Sequence, residues 1–356
     1  MTSKVVLDGS RGEGGGQILR TGMALCALMG RPLEIVRIRA GRRKPGLAAQ
    51  HLTGVRALVE ITGGAVEGAA LGSQTLRFSP GAIRGGTYTF DVSEAQASAG
   101  SVGMLFQAVA PVLAYAPEPS HLTLKGGTHV RWAPPVPYLK EVLLPTLNRM
   151  GLEARIETGT WGWYPEGGGV ARAEVRPAGT LGGIDLTARP DLERVDLFSA
   201  VSNLPVTIAR RQQDRAQRRL RDAGLPLRVE TFRAPSPGKG TFVFLLAHYG
   251  AVRAGFSALG ELGKPAEQVA DEAVDALLAH HATGQAVDPH LADQLVLYLT
   301  LAEGRSAFAA SQVTQHLLTV AEVAGEIADA KVVVEGDLGG PGRVMVEGIG
   351  FRRQEG

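Results

Sequence analysis

A single cysteine, Cys26, stands in 356 residues, and its solitude excludes a disulfide framework, a cysteine zinc site and a CxxC redox pair. It falls in the apolar stretch Met23–Met29, which predicts a buried helical position. The eight histidines include no HExxH and no other metal-ligand spacing, so a zinc enzyme is not indicated. Long hydrophobic runs are missing too: the longest, near Met104 to Ala116, contains Gln107 and Pro111 and is too short to span a bilayer. With Met-Thr-Ser-Lys leading straight into a strand, the expectation is a soluble, cytoplasmic protein without a membrane partner. Net charge is only +2, so no whole-molecule field draws the chain to a polyanion and any anion site must be a local patch. Lysine is scarce, seven residues against thirty arginines. Bidentate phosphate recognition and the codon bias of a GC-rich genome both account for that skew.

The familiar nucleotide loops are absent as well. No GxxxxGK[ST] motif occurs, since Gly238-Lys239 lacks both the upstream glycine and a following Ser or Thr. The dinucleotide fingerprint fails because Gln17 stands where its third glycine belongs.

Glycine is abundant, 47 residues, roughly twice the ~7% of average usage. Five of them lie between Asp8 and Arg20, in Asp8-Gly-Ser-Arg-Gly-Glu-Gly-Gly-Gly-Gln-Ile-Leu-Arg20, just after a short apolar strand. Glycines let backbone N–H groups approach an anion, Arg11 and Arg20 supply charge, and Glu13 can hold a divalent cation that screens phosphate oxygens. Nucleotide or polynucleotide chemistry follows as the first hypothesis. A second basic cluster, Arg37, Arg39, Arg42, Arg43 and Lys44, ends a predicted strand from Glu34 to Arg39 and opens a turn closed by Pro45-Gly46. Strand alternation sends Arg37 and Arg39 to one face, which suits a phosphate clamp or a plain solvated strand end.

Apolar content of 44% rules out disorder, and the length implies one large domain plus a smaller one. A strand, turn, helix, strand pattern recurs three times. In the first copy the helix is His51 to Ile61 and the returning strand Thr75 to Phe78. The second has strand His121 to Lys125, helix Tyr138 to Met150, and strands Glu153 to Glu157 and Val170 to Val175. The third has a helix His316 to Ala328 and strands Lys331 to Val334 and Arg343 to Glu347. The fold class expected is α/β: a three-repeat pseudo-symmetric domain over residues 1–183 and 284–356, interrupted by a smaller inserted α/β domain at 184–283. The insert carries a helix from about Val206 to Ala223 whose Arg211, Arg215 and Arg218 share a face, with Arg219 alongside. That stripe is either a track for a nucleic-acid backbone or a solvated face. Gly162-Trp-Tyr-Pro-Glu-Gly-Gly-Gly169 is a second glycine turn, whose aromatics either stack on bases or close a hairpin.

Several of these segments, taken in order, resemble the RNA 3′-terminal phosphate cyclases. They are Asp8-Gly with Gly12-Glu-Gly-Gly-Gly-Gln-Ile-Leu-Arg20, Ile38-Arg-Ala-Gly-Arg42, Pro45-Gly-Leu, Gln50-His-Leu, Tyr164-Pro-Glu-Gly-Gly-Gly169, Ala292-Asp-Gln294 and His316-Leu-Leu-Thr319, and the resemblance runs from about residue 5 to 350. It implies an enolpyruvyl transferase-like three-repeat domain with a thioredoxin-like insert. It also implies ATP-dependent conversion of an RNA 3′-phosphate to a 2′,3′-cyclic phosphate through a covalent histidine-AMP and an RNA-adenylate.

By this resemblance His316 is the nucleophile, Glu13 is the metal-linked acid for Mg2+ or Mn2+, and Arg39 and Arg42 complete the catalytic set. Arg20, Gln50 and Gln17 are expected to contact the phosphate and the RNA end. Gln107, Pro134, His290, Asp293 and Gln294 are expected to line the nucleotide pocket, with Asp293 a second metal contact. Trp161 and Gly162 stand where relatives begin their glycine signature with Arg or His, which puts that residue's contact in doubt. The competing readings are a noncatalytic cyclase-like RNA-binding protein of ribosome biogenesis, an enolpyruvyl transferase, and adenylyl transfer to another polynucleotide phosphate end.

Overall fold

The computed structural model describes residues 3–95 and 98–352. Three sheets of four strands are each built on the same order of elements: strand, helix, strand, helix, hairpin. In the first, Val5–Asp8 and Leu33–Val36 run parallel and are joined through the helix Gln17–Met29, and the helix Ala49–Thr62 then leads into the hairpin Ala65–Glu67 and Leu76–Ser79. The second uses Gly86–Asp91, Ser120–Gly126, Ala154–Thr160 and Gly169–Val175, with the helix Val102–Leu113 and a helical stretch over 136–149. The third uses Asp185–Leu186, Glu303–Ala310, Lys331–Glu335 and Gly342–Ile349, with the helices Pro289–Leu301 and Gln315–Ala328. Within every sheet the spatial order is first, second, fourth, third strand.

Local sequence explains the layering. Leu33 and Ile35 are buried while Glu34 and Val36 are half-buried, the period-two alternation of a sheet with one face on helices. Helices Gln17–Met29 and Ala49–Thr62 both stop at a left-handed glycine, Gly30 at φ 62° and Gly63 at φ 56°, where the chain turns without a Cβ penalty. Helix Gln17–Met29 packs against Gln315–Ala328, Val102–Leu113 and Ala49–Thr62, so helices of all three repeats share one core. Cys26 is buried in that core as the sequence predicts, and burial pushes its thiol up to about 12.

The repeat is longer than the sequence pattern suggested. The predicted unit begins at Glu34, one strand and one helix late, because the opening pair is disguised by the glycine loop in the first copy and by the insertion in the third. The strand predicted from Glu34 to Arg39 ends at Val36, and Arg37 and Arg39 follow it at φ 53° and 54°. Left-handed backbone breaks the alternation, so the two arginines do not share a strand face.

Between Asp185–Leu186 and Pro289–Leu301 lies a fourth sheet, of Arg194–Ser202, Leu227–Arg233, Gly240–Tyr249 and Val252–Leu259, with the helices Val206–Asp222 and Ala266–Thr283. Its order is second, first, third, fourth, with only the first two strands parallel, which is the arrangement of a thioredoxin-like unit. The two-residue strand Asp185–Leu186 pairs with Ala307 and Phe308 and so belongs to the third sheet. Aromatic residues seal the insert against the second repeat: His129 stacks on Trp161 at 3.7 Å between centroids, and Phe242 stands edge-on to His129 at 4.7 Å. Trp163 is buried in the same cluster while Tyr164 is exposed, so of the glycine-turn aromatics Trp163 serves the hairpin and the core.

The arginine stripe of the insert also proves structural in part. Arg211 forms a bidentate pair with Glu267 at 2.8 and 2.7 Å, Arg215 with Asp271 at 2.8 and 3.1 Å, and Arg219 bridges Asp271 and Asp275 at 2.9 and 2.6 Å. Acid and base repeat every fourth residue on two facing helices, forming a ladder. Arg210 and Arg218 lie outside it and are exposed. Arg215→Ala is expected to lower stability by about 1 kcal/mol at low salt, less as salt rises, because these pairs are half-solvated. Urea unfolding at two ionic strengths measures it, and equal midpoints for variant and parent would remove the ladder from the stability account.

Asp288 ties the insert to the core. Its buried carboxylate accepts from the N–H groups of His290 and Leu291 at 2.9 and 3.0 Å, from the Tyr138 hydroxyl at 2.8 Å, and from Gly255 N–H at 3.3 Å. Asp288→Ala removes a helix cap and orphans the buried Tyr138 hydroxyl, for an expected loss of about 3 kcal/mol. A loss under ~1 kcal/mol in chemical denaturation would mean the carboxylate is replaceable there.

Candidate active site

Two helix N-termini meet at one place. Helix Gln17–Met29 starts from Gly16 without a side-chain cap, and helix Gln315–Ala328 starts from Thr314, whose hydroxyl accepts the Leu317 N–H at 3.1 Å. The loop leading into the first helix lies against the second. Gly12, at φ +55°, is so close that a Cβ there would stand 2.1 Å from Thr319 Oγ1. A Cβ on Gly15 would meet Glu13 Oε1 at 1.9 Å and Arg42 Nη2 at 2.8 Å, and one on Gly16 would meet His51 Nε2 at 2.4 Å and Arg20 Nη1 at 3.3 Å. Four side chains, Glu13, Arg42, His51 and Arg20, therefore converge over Gly15 and Gly16, which have none of their own. Helix dipoles and guanidiniums give this cradle positive potential.

His316 occupies the second position of its helix, half-exposed, with Nε2 3.5 Å from Glu13 Oε2. Glu13, only 12% exposed, also pairs with Arg42. Burial lowers the His316 pKa, Glu13 opposes the shift, and Arg20, Arg42 and His290 reinforce it. The imidazole is consequently neutral near pH 7, with a ring nitrogen lone pair available.

Behind the cradle Arg20 donates to the Gln17 side-chain Oε1, and Gln17 Nε2 donates to Asp293 Oδ2 at 3.1 Å. Burial pushes the Asp293 carboxyl up to about 7 against the pull of Arg20 and Gln17. Gln17, Arg20, Gln107, Asp293 and Gln294 line one small open cavity. Gln294 donates to His290 O at 2.8 Å, leaving its own Oε1 buried without a partner. His290 is exposed, its ring edge-on to Tyr138 at 6.2 Å, and Pro134 packs through its carbonyl against Gly103 in the first turn of helix Val102–Leu113, which carries Gln107. On the other side of Arg20, Gln50 accepts Ser101 N–H at 3.1 Å and contacts Met104 Sδ at 3.3 Å. Arg39 is half-buried and donates to Gly46 O at 2.7 Å; burial and then Arg42 lower its pKa, with Glu13 opposing.

Of the twelve sequence-selected residues, Gln17, Arg20, Gln107, Asp293 and Gln294 line the cavity, Glu13, Arg20 and Arg42 meet over Gly15 and Gly16, and His316 stands beside Glu13. Arg39, Gln50 and His290 lie on the flanks, and Pro134 is placed only by its contact with Gly103. Arg11 does not serve the cradle: its guanidinium pairs with Glu322 at 3.3 Å and Glu326 at 2.8 Å on the last helix. Arg37 likewise turns to Asp8. Both corrections have one cause, since the acids sit on elements distant in sequence. Sequence reasoning overlooked His51 and Thr319 as cradle walls, although both stand inside the quoted motifs. It also missed Asp288, for which the Asp-Pro cap before a helical run is a readable signal.

A glycine cradle fed by two helix N-termini, with a neutral histidine and three arginines, defines a phosphate-directed α/β protein. The sequence matches the family described as RNA 3′-terminal phosphate cyclase over residues 11–334. It is 47% identical to the RNA 3′-terminal phosphate cyclase of Nostoc punctiforme across 93% of this chain and 96% of that one. Identity to the namesake proteins of Methylococcus capsulatus and Pyrobaculum neutrophilum is 45% and 42%, covering 96% and 98% of this chain and 96% and 99% of theirs. This chain belongs to the RNA 3′-terminal phosphate cyclase family. The solved enolpyruvyl transferase NikO of Streptomyces tendae aligns with 49% of this chain and 33% of its own at TM-score 0.28 and 17% identity, too low to carry an argument.

The ring of a buried histidine cannot swing aside as a lysine would. Gly16→Ala is therefore expected to destabilise by about 1–3 kcal/mol through overpacking, and adding His51→Ala should recover most of that loss. Urea unfolding of the two single variants and the double variant completes the cycle, and strict additivity would show that the two positions do not touch.

Proposed function

We infer that this chain converts RNA 3′-phosphate ends to 2′,3′-cyclic phosphates at the expense of ATP, with His316 as the covalent nucleophile. The observation that carries the mechanism is His316 itself: neutral, half-exposed, at a helix N-terminus and beside Glu13 over the glycine cradle. A His316 nitrogen attacks the α-phosphorus of ATP, forming an N–P bond as the bond to pyrophosphate breaks and pyrophosphate departs. A 3′-phosphate oxygen of the RNA then attacks the same phosphorus, breaking the N–P bond, freeing His316 and leaving AMP on the RNA end. The terminal 2′-OH attacks the activated 3′-phosphorus, gives up its proton and expels AMP. Adenylylation gives the 3′-phosphate a good leaving group, AMP, in place of a poor one.

In this reading Arg20, Arg39 and Arg42 neutralise phosphate charge, and Gln50 and Gln17 fix the RNA end and the cradle. Gln107, Pro134, His290, Asp293 and Gln294 surround the nucleotide, whose polar edge would satisfy the orphan Gln294 Oε1. Among the described residues no group of three His, Cys, Asp or Glu side chains is placed to hold a metal. That fits Mg2+ or Mn2+ held by Glu13 with phosphate oxygens and water, the usual manner for Mg2+. Bound there, the ion would screen the phosphate charge. Asp293, hydrogen-bonded to Gln17 and titrating near neutrality, is the weaker of the two acids for that task. We further propose the division into core, residues 1–183 and 284–356, and insert, residues 184–283, with Asp185–Leu186 counted with the core because of its pairing. Cytoplasmic location belongs to the same proposal; among the described residues no helix is long and apolar enough to cross a membrane.

Incubation with α-32P-ATP and Mg2+ or Mn2+ should label the protein in an acid-labile, alkali-stable form, and His316→Ala should abolish the label. An RNA 3′-phosphate should then be cyclised, and the same oligonucleotide with a terminal 2′-deoxyribose should stop at the adenylated end. A folded protein that takes no label would point to the noncatalytic RNA-binding reading.

A further inference from the structure

His51 has no part in the proposed chemistry, yet as a wall of the cradle it is placed with unusual constraint. It is the third residue of helix Ala49–Thr62 and only 8% exposed. Its Nδ1 accepts the backbone N–H of Ala48 at 3.2 Å, which requires Nδ1 to be unprotonated and places the ring hydrogen on Nε2. That Nε2–H has no hydrogen-bond partner among the described residues. It is directed at Gly16, the N-cap of helix Gln17–Met29, at the spot that Arg20 Nη1 also reaches.

We propose that His51 is a fixed, neutral hydrogen-bond donor to a phosphate oxygen held at the N-terminus of helix Gln17–Met29. An N–H without an acceptor among the described residues, on a ring only 8% exposed and set against an uncapped helix start, is placed to meet an anion there. The helix supplies free backbone N–H groups, Arg20 supplies charge, and His51 supplies direction. The ring cannot become a cation under working conditions: burial first, then Arg39, Arg20 and Arg42, hold its pKa at about 3. A lysine or arginine at this position would add a fourth positive charge where three already repel; a neutral donor adds a hydrogen bond without that cost.

The inference deepens the cyclase reading and rests on it for the identity of the phosphate, which is either the ATP polyphosphate or the RNA 3′-phosphate. Two near-isosteres separate the donor role from a merely structural one. In His51→Asn the amide oxygen can replace Nδ1 and keep the bond to Ala48, but the Nε2 donor is gone. In His51→Gln the amide nitrogen can reach the Nε2 position, restoring the donor. Binding of inorganic pyrophosphate and of inorganic phosphate is measured by calorimetry on the full chain, independently of turnover. His51→Asn should weaken binding of at least one of them roughly tenfold or more, with His51→Gln close to the parent, as expected for a lost hydrogen bond to a charged group. If Asn binds both ions as the parent does, or if Asn restores binding that Gln lacks, the donor role is wrong and the ring serves only the helix start. Single-turnover labelling by α-32P-ATP and transfer from preformed enzyme-AMP to an RNA 3′-phosphate assign the source: a defect in the first marks the polyphosphate, one in the second the RNA end. A parent protein that binds pyrophosphate but takes no label would overturn the cyclase mechanism while leaving the His51 result standing.

Discussion

The contact on which the rest of this site depends is the approach of a loop in which Glu13 carries the one side chain, Gly12 to Gly16, to two helices from different repeats. Thr319 lies against Gly12 and His51 against Gly16 at separations that a single methyl group would violate. Because Gly15 and Gly16 are bare, Glu13, Arg20, Arg42 and His51 can all lean over the same few ångströms of backbone, with His316 beside Glu13. Their charges then set one another's chemistry. Arginines and burial keep His51 and His316 neutral, while Glu13 stands between Arg42 and His316.

The three-fold use of one unit explains how such a place arises. Each repeat turns helices inward from one face of its sheet, and the first and third repeats meet through Gln17–Met29 and Gln315–Ala328. Helix N-termini from separate copies are thereby brought together, which a single copy cannot do. The cavity behind the cradle has the same origin: Gln17 and Arg20 come from the first repeat, Gln107 from the second, and Asp293 and Gln294 from the third. The insert contributes at a distance. Asp288 caps the helix that carries His290, Asp293 and Gln294 while accepting from Gly255 of the insert and Tyr138 of the second repeat, so that side of the cavity rests on a junction of three parts of the fold.

Charge in this protein is spent in two ways. On the insert, arginines at 211, 215 and 219 face acids at 267, 271 and 275 and hold two helices together. In the core, Arg20, Arg39 and Arg42 face two carboxylates, Glu13 and Asp293, and are left with an excess of positive charge beside the uncapped start of helix Gln17–Met29. The near-zero net charge conceals this division, because it arises from which residues face each other and not from how many there are.

Much of the core was legible in the sequence, since helix stops at Gly30 and Gly63, alternation at Leu33–Val36 and the lone apolar Cys26 are local matters of backbone freedom and burial. The glycine loop and the arginines after it read as anion chemistry from their residue types, whereas His316 was singled out through the resemblance to the cyclase family. Sequence could not tell which arginines would be neutralised. Arg11 and Arg37 look no different from Arg20 and Arg39 until folding sets Glu322, Glu326 and Asp8 beside them. Nor could it reveal that His51 points an unpaired N–H at Gly16, or that the repeat starts at Val5. By itself the sequence determined the local conformations and the inventory of reactive groups. Tertiary structure alone decided which groups meet, because the partners are separated by as many as three hundred residues and only packing of the three repeats fixes their distances.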